Sequence, residues 1–458
     1  MESVIRADPS LGPGLAFSTF TSLPRRTPVP VTSPPVPRRD LAFVARVVRT
    51  MFLTQAPRLA RQRESPMSPL IVFSHLRWNF VFQRPQHLMS RLSADRRVLF
   101  IEEPVFEADT PPRIEARWEG VRGFEVEVLV PFTPVDAPGF DDAQLAVLLP
   151  LLAREFARRD VADPLVWLYT PMALPLVANL RPRAVIYDCM DELSAFRHAP
   201  AQLRQRESAL IACADLVLCG GPSLYEARVG QHPNLHCLPS AVDPDHFAPA
   251  SLRDGDPLAM RAVELQGGMP RPRLGYFGVI DERMDIELVA ALAQARPDWQ
   301  IVMVGPVVKI DEASLPRYPN LHWLGLQSYA QLPHLLAGWD LCLMPFALNE
   351  STRFISPTKT LEYLAGGKPV VSTAIRDVIS LYSGAVRIGR DAPGFIAACD
   401  AVLYETTEIH ATWQRAAAAA VAAGTWDVAA DRVRGWLAEL PVAVPADTSA
   451  TMPALRAA

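Results

Sequence analysis

The sequence predicts an α/β protein built from two consecutive Rossmann-like, doubly wound domains that face each other across a cleft. From about Leu70 onward, short apolar runs alternate with amphipathic segments, which is typical of parallel strands buried between helices. A Pro-, Gly- and Asp-rich stretch, Pro244–Pro272, interrupts this alternation, which then begins again. The length of 458 residues is that of two ordinary domains.

The first domain is assigned to residues 67–245 and the second to residues 246–425. Their strands are predicted from apolar runs of four or five residues, and the helices from the amphipathic segments between them. The strands of the first domain are expected at 70–74, 98–101, 126–130, 166–169, 184–187 and 216–219, and its helices at 85–92, 143–158 and 200–212. Those of the second are expected at 273–277, 300–304, 321–324, 341–344 and 369–372, with helices at 285–295, 329–338 and 357–366. The stretch Pro244–Pro272 between the domains is interpreted as a loop-like hinge.

Charge and cysteine usage exclude several classes of protein. A net charge of -4 argues against a nucleic-acid-binding protein. None of the six cysteines forms a CxxC pair, so a zinc or redox motif is not expected. No run of about 18 apolar residues predicts a membrane-spanning helix, and the sequence lacks the pattern of a secretory signal. We therefore expect a cytoplasmic protein.

The two ends of the chain differ from the rest in composition. Residues 1–66 are rich in Pro and Arg, residues 441–458 are rich in Pro and Ala, and both are expected to be disordered. Within the first of them, Leu41–Leu59 has the pattern of a basic amphipathic helix, which predicts peripheral contact with the inner face of an anionic membrane. The blander interpretation, which we favour, is that the protein starts near Met67.

The segment Asn349–Thr373 contains the strongest candidate site. Ser356 is a suitable N-cap and Pro357 suits a first helical turn, so a helix is expected to begin just after a strand. The free N–H groups at its start, with Ser356 and Thr358, would form an anion site, to which Lys359 adds a full charge. Glu362 lies one turn further on the same face. The alternative is a capped surface helix with an ordinary Lys/Glu pair.

Lysine is rare in this chain, whose basic residues are almost all arginines. The three lysines are Lys309, Lys359 and Lys368. A compact ammonium binds phosphate as a point charge, unlike the planar guanidinium, so a lysine kept in such a chain is a candidate phosphate contact. We rank Lys359 above the other two, and the alternative is chance.

A second candidate lies in Gly275–Asp285, where a predicted strand ends at Gly278. Glycine permits a ligand to approach the backbone closely, and Arg283 offers a fork for a phosphate. The alternative is a normal turn between a strand and a helix. There is neither a GxxxxGK[ST] run nor a GxGxxG after a strand, which disfavours nucleotide hydrolysis and nicotinamide chemistry.

Polar side chains also follow two strands of the first domain. The segment Ser74–His87 concentrates His75, Arg77, Trp78, Arg84 and His87, a combination that suits sugar binding. The alternative is a solvated loop with a packing tryptophan.

Ile186–Glu192 places Asp188 and Asp191 at a strand end, where they would orient a sugar hydroxyl or assist proton transfer. No histidines cluster beside these carboxylates, so no metal site is predicted. Asp243-Pro244-Asp245 is interpreted as a turn rather than a metal motif.

These segments resemble the two-domain (GT-B) glycosyltransferases, specifically the large retaining family 4 class that includes bacterial cell-surface polysaccharide enzymes. The resemblance spans about Ser68 to Leu440. SPTKTLEYLAGGKPVVST, residues 356–373, is similar to the family's donor-binding helix, with Glu362 at the second acidic position of its signature. Phe354 stands at the first acidic position, and LPSAVDPDHF lacks the glycine of the interdomain motif that it resembles. GTWD, residues 424–427, is similar to the start of a terminal helix, here residues 426–440, that often crosses back to the first domain.

The resemblance implies transfer of a hexosyl unit from a UDP- or GDP-sugar to a glycan or lipid-linked acceptor, with retention of configuration. No cofactor or metal is expected, because Lys359, Arg283 and the helix start would stabilise the leaving diphosphate. Gly278, Ser356, Thr358 and Glu362 would complete the donor site. Asp191 and His75 would be the catalytic groups. Acceptor contacts are expected from Arg77, Trp78, Arg84, His87 and Asp188. The alternatives are a sugar-nucleotide epimerase, a non-catalytic sugar-nucleotide- or polysaccharide-binding protein and, less favoured, a Rossmann oxidoreductase.

Overall fold

The computed structural model describes residues 67–440, apart from Arg122 and residues 178–179, 196–198 and 250–254. The extension 1–66, with the amphipathic segment Leu41–Leu59, and the tail 441–458 lie outside the described residues. Along the described part of the chain, no helix has both the length and the apolar character needed to cross a bilayer.

The first domain is built on a mainly parallel sheet with β1 near its centre. β1 is hydrogen-bonded between β2 and β6, and the strand order is β3-β5-β2-β1-β6-β7-β8-β9 with β4 added on β5. These strands are β1 (Leu70–Ser74), β2 (Val98–Glu102), β3 (Val105–Phe106), β4 (Arg113–Val121), β5 (Phe124–Thr133), β6 (Leu165–Leu168), β7 (Ala184–Cys189), β8 (Leu216–Cys219) and β9 (Leu235–Cys237). The helices are α1 (Arg84–Leu92), α2 (Leu145–Arg158), α3 (Leu174–Val177), α4 (Leu203–Cys213) and α5 (Pro222–Arg228). Apolar clusters on both faces of the sheet explain why its inner strands read as continuous apolar runs.

The hairpin of β4 and β5 is absent from the sequence-based prediction, which has a single strand at 126–130. β4 pairs antiparallel with β5 along its whole length, from Arg113 opposite Phe132 to Val121 opposite Phe124. It alternates charged residues with others, and its Trp118 is 61% exposed. A search for buried apolar runs therefore misses it, because an antiparallel strand that faces water on one side alternates instead.

The second domain is a six-stranded parallel sheet in the order β12-β11-β10-β13-β14-β15. Its strands are β10 (Arg273–Phe277), β11 (Gln300–Val304), β12 (Leu321–Trp323), β13 (Leu341–Met344), β14 (Val370–Thr373) and β15 (Val386–Gly389). Its helices are α6 (Pro244–Phe247), α7 (Pro257–Gln266), α8 (Ile286–Ala295), α9 (Leu332–Ala337), α10 (Lys359–Ala365), α11 (Arg376–Tyr382), α12 (Ala392–Leu403) and α13 (Thr407–Ala423). The strand order reverses between β10 and β13, the position at which such sheets bind ligands. The predicted fold class is thus confirmed.

The prediction that Pro244–Pro272 is loop-like is wrong, because this stretch contains the helices α6 and α7. The side chain of Asp256 caps α7 by accepting a hydrogen bond from the N–H of Leu258, and Pro257 occupies its first turn. Gln266, at the end of α7, donates to the carbonyl of Leu335 and accepts from the indole of Trp339. Capping and these buried hydrogen bonds outweigh the turn-like composition of the segment.

The chain crosses back to the first domain in its last described helix, α14 (Trp426–Glu439). The crossing is fixed by two backbone hydrogen bonds, from Val242 N–H to the carbonyl of Gly424 at 2.8 Å and from Trp426 N–H to the carbonyl of Val242 at 3.0 Å. Trp426 and Val433 of α14 then pack in the core of the first domain. The two connections between the domains therefore lie side by side and form a parallel bridge between Val242 and Thr425.

Candidate functional site

Loops at the carboxyl ends of the two sheets meet at a buried junction. The N–H of Ser223, at the start of α5, donates to Oδ1 of Asp377, at the start of α11, over 3.0 Å. Beside it, Arg376 and Glu226 form an ion pair between the domains. Gly221 lies against Asp377 and Ser356, and a Cβ there would overlap Oδ2 of Asp377. The loop that contains Ser356 is thus in direct contact with the first domain.

Replacing Gly221 with alanine is expected to act as a wedge between the domains. Its φ of -172° suits any residue, so the cost is steric rather than conformational. Asp377 would have to give up its hydrogen bond with Ser223 to make room. We expect a larger radius of gyration in small-angle scattering and at least tenfold slower turnover, since closure assembles the site. Gly268→Ala, where an added Cβ meets nothing within 4 Å, is the control, and identical scattering from both variants would contradict the wedge.

A second contact between the domains is aromatic and adjoins α1. Tyr329 stacks on His246 at 4.1 Å between ring centroids and on Phe82 of the first domain at 5.0 Å. Its hydroxyl lies 3.4 Å from Nε2 of His87, whose ring stacks on Trp426. His87, predicted to bind the acceptor, is therefore buried between aromatic rings of both domains.

The end of the Lys359 side chain lies directly against Gly278. The two residues belong to separate motifs, so the sequence alone did not show this contact. A Cβ on Gly278 would overlap Cε of Lys359 and lie 2.7 Å from its Nζ, and the φ of +143° at Gly278 also disfavours other residues. The ammonium lies 5.7 Å from the ring centre of Tyr276 and 5.8 Å from that of Phe346. Both distances are within the range of cation–π attraction. The absence of a side chain at Gly278 thus leaves room for Lys359, which would contact a ligand.

Lys359 and Glu362 do not form the ordinary surface pair that was the alternative interpretation. No ion pair within 4 Å and no hydrogen bond joins their side chains in the part of the chain that the structure describes. Burial and, to a lesser extent, the nearby charge of Arg283 lower the pKa of Lys359 to about 8, although the carboxylates of Glu362 and Asp281 oppose this shift. Burial raises the pKa of Glu362, and Lys359 partly offsets that effect. Both side chains are half-buried, and an anionic ligand would stabilise the charged form of Lys359.

Arg283 is held as a fork by a neighbouring carboxylate. Its Nε and Nη2 donate to Asp281 over 3.0 Å and 2.7 Å, and its backbone N–H donates to Oδ1 of the same residue. Burial lowers the pKa of Arg283, but its hydrogen bonds with Asp281 outweigh this, so the net shift is upward. Asp281 thus holds the guanidinium of Arg283 in an orientation from which it can also bind a second anion.

Asp191 of the first domain faces basic residues of the second. Burial raises its pKa, and the positive charges of Arg283, Lys309 and Lys359 of the second domain, together with that of Arg84 of the first, partly offset the rise. Lys309 follows β11 with a φ of +63°, in a loop whose Val308 N–H donates to the carbonyl of Ile280 over 3.0 Å. One carboxylate and three cations therefore converge from four separate loops.

The predicted helix cap at Ser356 is wrong by two residues. Helix α10 begins at Lys359 with Thr358 as its N-cap residue, and no side chain caps it. Ser356 instead lies, with Asp377, beside Gly221 of the first domain. The residue therefore lies at the junction of the two domains. Thr358 is half-buried at the start of the helix.

In the first domain, His75 and Arg77 lie in the loop that follows β1. Burial lowers the pKa of His75 to about 3, so its imidazole is neutral at physiological pH. Its Nδ1 is buried with no hydrogen-bond partner among the described residues. Arg77 is half-exposed and donates to Oε2 of Glu102 over 3.1 Å.

Four of the five predicted acceptor contacts, His87 among them, are buried in the described structure, which does not favour that prediction. Trp78 is 4% exposed and packs edge-on against Phe100 in the core. Arg84 and Asp188 are 1% and 0% exposed and form a two-pronged ion pair, over 3.0 Å and 2.8 Å. The third donor group of Arg84 binds the carbonyl of Leu238. These side chains hold the first domain together and have no surface for an acceptor.

Several residues of the site were not singled out from the sequence. Asp281, Tyr276 and Phe346 hold Arg283 or surround Lys359, and Asp377 joins the domains. Lys309, by contrast, was a phosphate candidate ranked below Lys359, because lysine is rare in this arginine-rich chain. For the others nothing in the sequence distinguishes a site residue from a core residue.

Part of the second domain matches a known protein family. The family described as "Glycosyl transferases group 1" matches residues 271–405, which include β10 to β15 and the Lys359 region. The chain is also 28% identical over 257 residues to TuaH of Bacillus subtilis (strain 168), which its name assigns provisionally to teichuronic acid biosynthesis as a glycosyltransferase. The match covers 51% of this chain and 62% of TuaH, so it spans less than two thirds of that relative.

Solved structures share the two-domain architecture. HepE from Anabaena, in complex with UDP and glucose, is similar with a TM-score of 0.58 and 16% identity, over 81% of this chain and all of HepE. Sucrose-phosphate synthase from Thermosynechococcus elongatus gives a TM-score of 0.59 and 16% identity, over 81% of this chain and 99% of that one. An α,α-trehalose-phosphate synthase (UDP-forming) from Burkholderia vietnamiensis gives 0.59 and 15% over the same shares. At these identities the likeness concerns the fold, which is GT-B.

Proposed function

We propose, from the GT-B fold and the match of the second domain to group 1 glycosyl transferases, that this protein transfers a hexosyl unit from a nucleotide sugar to a glycan or lipid-linked acceptor. The observation that carries the proposal is the ammonium of Lys359. It lies against Gly278 at the strand-order reversal of the second sheet, and no ion pair or hydrogen bond of its side chain is present in the described structure.

The charges of the site suit a leaving diphosphate. When the bond between the sugar and the diphosphate breaks, negative charge develops on the diphosphate oxygens. The ammonium of Lys359 and the guanidinium of Arg283 stabilise that charge in a place where burial strengthens electrostatic attraction. This set supplies the neutralisation without requiring a metal ion.

Groups from both domains would hold the sugar and the ribose. Glu362, one turn after Lys359, accepts hydrogen bonds from donor hydroxyls and is not the nucleophile. Asp191 and the neutral imidazole of His75 face the transferred sugar or the acceptor hydroxyl from the first domain. Thr358 lies where the donor phosphates meet α10. Closure of the domains then excludes water, which would otherwise hydrolyse the donor.

The nucleotide, the acceptor and the location follow from the relatives. UDP is the first candidate because the solved neighbour HepE binds UDP and glucose, and GDP is the second. TuaH is named for teichuronic acid biosynthesis, which supports a cell-envelope polysaccharide as the acceptor. Retention of configuration, a family 4 type of mechanism and a cytoplasmic enzyme at the inner face of the membrane complete the proposal.

The test is an assay of the full chain with a panel of UDP- and GDP-hexoses and polysaccharide or lipid-linked acceptors. Release of nucleoside diphosphate with a new glycosidic bond supports the proposal, and NMR of the anomeric proton reports retention. A change of the donor sugar without release of the diphosphate would show an epimerase. Tight donor binding without turnover under any condition would show a binding protein, for which the Phe354 substitution in the acidic signature gives a reason.

Affinity for the nucleotide is expected to fall as the pH rises through about 8. The folded-state pKa of Lys359 is lowered to about 8, so the ammonium is charged below that pH and neutral above it. A diphosphate binds the charged form, hence the affinity is complete below pH 8 and decreases by up to tenfold per pH unit above it. Isothermal titration with UDP between pH 6.5 and 10 measures this.

Lys359→Arg provides the matched control, because a guanidinium stays charged over the whole range. Whatever affinity this variant retains should not change between pH 8 and pH 10. A wild-type profile that is equally flat would show that the lysine does not titrate in the site.

A further inference from the structure

The second sheet opens between β10 and β13, at the reversal of strand order. On one side β10 pairs with β11 as far as Phe277 opposite Val304. On the other side its register with β13 includes only Leu274 and Gly275. Backbone hydrogen bonds resume between the following loops, from Asp285 N–H to the carbonyl of Pro345 and from Ala347 N–H to that of Arg283, both over 2.8 Å. Between these points the strands separate and enclose the space beside Gly278.

The separation leaves the backbone polar groups of Phe277 without a strand partner on the β13 side. The hydroxyl of Tyr363 takes that place. It accepts a hydrogen bond from the N–H of Phe277 over 2.9 Å and lies 3.3 Å from the carbonyl oxygen of the same residue, to which it donates. Tyr363 is fully buried, and its ring meets that of Phe277 at 4.7 Å between centroids. One side-chain hydroxyl thus satisfies two buried backbone groups that would otherwise be costly to leave unpaired.

Tyr363 also belongs to α10, the helix that begins with Lys359. The residue that it binds, Phe277, directly precedes Gly278. The hydroxyl therefore ties the helix to the backbone at the one point where a Cβ would overlap the lysine side chain. With so little space between Gly278 and Lys359, a shift of a few tenths of an ångström between helix and strand would displace the ammonium.

We propose that Tyr363 is a positioning residue for the donor diphosphate, which fixes the distance between Lys359 and Gly278 by bridging α10 to the end of β10. This inference rests on the proposed function, because it concerns the same site. It assigns no contact between Tyr363 and the substrate. The hydroxyl acts through the placement of Lys359.

The experiment compares Tyr363→Phe with Tyr187→Phe in the full chain. Tyr187 is also buried and its hydroxyl also makes a short hydrogen bond, to Glu207 over 2.7 Å in the first domain, so its loss controls for the removal of a buried hydroxyl. We expect both variants to melt at lower temperatures. Only Tyr363→Phe should bind UDP-glucose or UDP about tenfold more weakly. Only in that variant should the pH at which the affinity for UDP begins to fall differ from that of the wild type. A merely structural role would lower the melting temperature without moving the pH profile.

Hydrogen exchange of the wild-type protein gives a readout that requires no variant. The amide of Phe277 should exchange as slowly as that of Gly275, although it has no partner in β13. Rapid exchange at Phe277, or unchanged UDP affinity and pH profile in a folded Tyr363→Phe variant, would overturn the inference alone. Failure of the wild type to bind any nucleotide would overturn the proposed function, and this inference with it.

Discussion

Lys359→Ala is expected to lower turnover by about 10²–10³-fold while the protein stays folded. This is the range for loss of one preorganised group that stabilises transition-state charge in a buried site. The side chain forms cation–π contacts with Tyr276 and Phe346 but makes no ion pair or hydrogen bond in the described structure, so its removal costs little stability. The measurement is kcat and KM for the donor at pH 7, with the melting temperature recorded for each sample.

Lys368→Ala is the control for removal of a lysine from the same domain. Its ammonium donates to the carbonyls of Ala337 and Trp339, over 3.1 Å and 2.8 Å, and thus ties together two segments of the backbone. We expect this variant to lose stability rather than activity per folded molecule. If Lys359→Ala turned over at a rate near that of the wild type, Lys359 would not be the group that stabilises the diphosphate.

Asp188→Ala is expected to destabilise the first domain by about 3–5 kcal/mol, which is typical when one partner of a buried ion pair is removed. Arg84 would remain at 1% exposure with only the carbonyl of Leu238 as a partner. Burial raises the pKa of Asp188 and Arg84 partly offsets this, as expected for a carboxylate that depends on its cation. Thermal and urea unfolding, followed by a signal from the first domain, measure the loss.

The double variant Arg84→Met/Asp188→Leu removes both charges of the ion pair but still fills its space with apolar side chains. It therefore distinguishes the effect of the charges from the effect of packing. Replacing a whole buried pair with apolar side chains is often neutral, because the desolvation cost of both charges disappears. The double variant should therefore be more stable than Asp188→Ala. If it retained turnover as well, the pair would have a structural role only. A selective loss of activity in a stable double variant would restore the earlier prediction that these residues serve the acceptor.

The sequence predicts the inner strands of both sheets well and misses most of the edge strands, although β12 is predicted. β1, β11 and β13 are buried on both faces and read as apolar runs at the expected positions. β9 and β15 are short strands at the edges of the sheets and mix polar with apolar residues, so no run marks them. Burial on both faces is what makes a strand visible in a sequence, and an edge strand lacks it.

The candidate site was predicted in part. Lys359, Glu362, Gly278 and Arg283 stand in two segments far apart in the chain, and the parallel sheet brings them to one edge. In the segment 74–87, acceptor contacts were predicted from the polar character of the side chains alone, and several of these side chains are buried. The direction of a side chain decides whether it reaches the cleft or the core, and that direction depends on where the loop turns after β1. Trp78 and Arg84 point inward, which no local pattern reveals.

The contact between Gly278 and Lys359 is a further feature that the sequence did not predict. Each residue was a candidate by its own motif, yet their relation depends on the packing of α10 against β10 through Tyr363. Packing between segments 80 residues or more apart is decided by the whole core of the domain, so a single sequence gives no direct sign of it.

The most direct test of the account is a thermal-shift measurement of the full chain with UDP, GDP, ADP, NAD and the corresponding sugar conjugates, in the wild type and in Lys359→Ala. A ligand that binds the folded state raises the melting temperature by mass action. The account predicts a clear rise with UDP or GDP that is lost in the variant, while the melting temperature without ligand hardly changes. A well-folded wild type that responds to none of these nucleotides would contradict it.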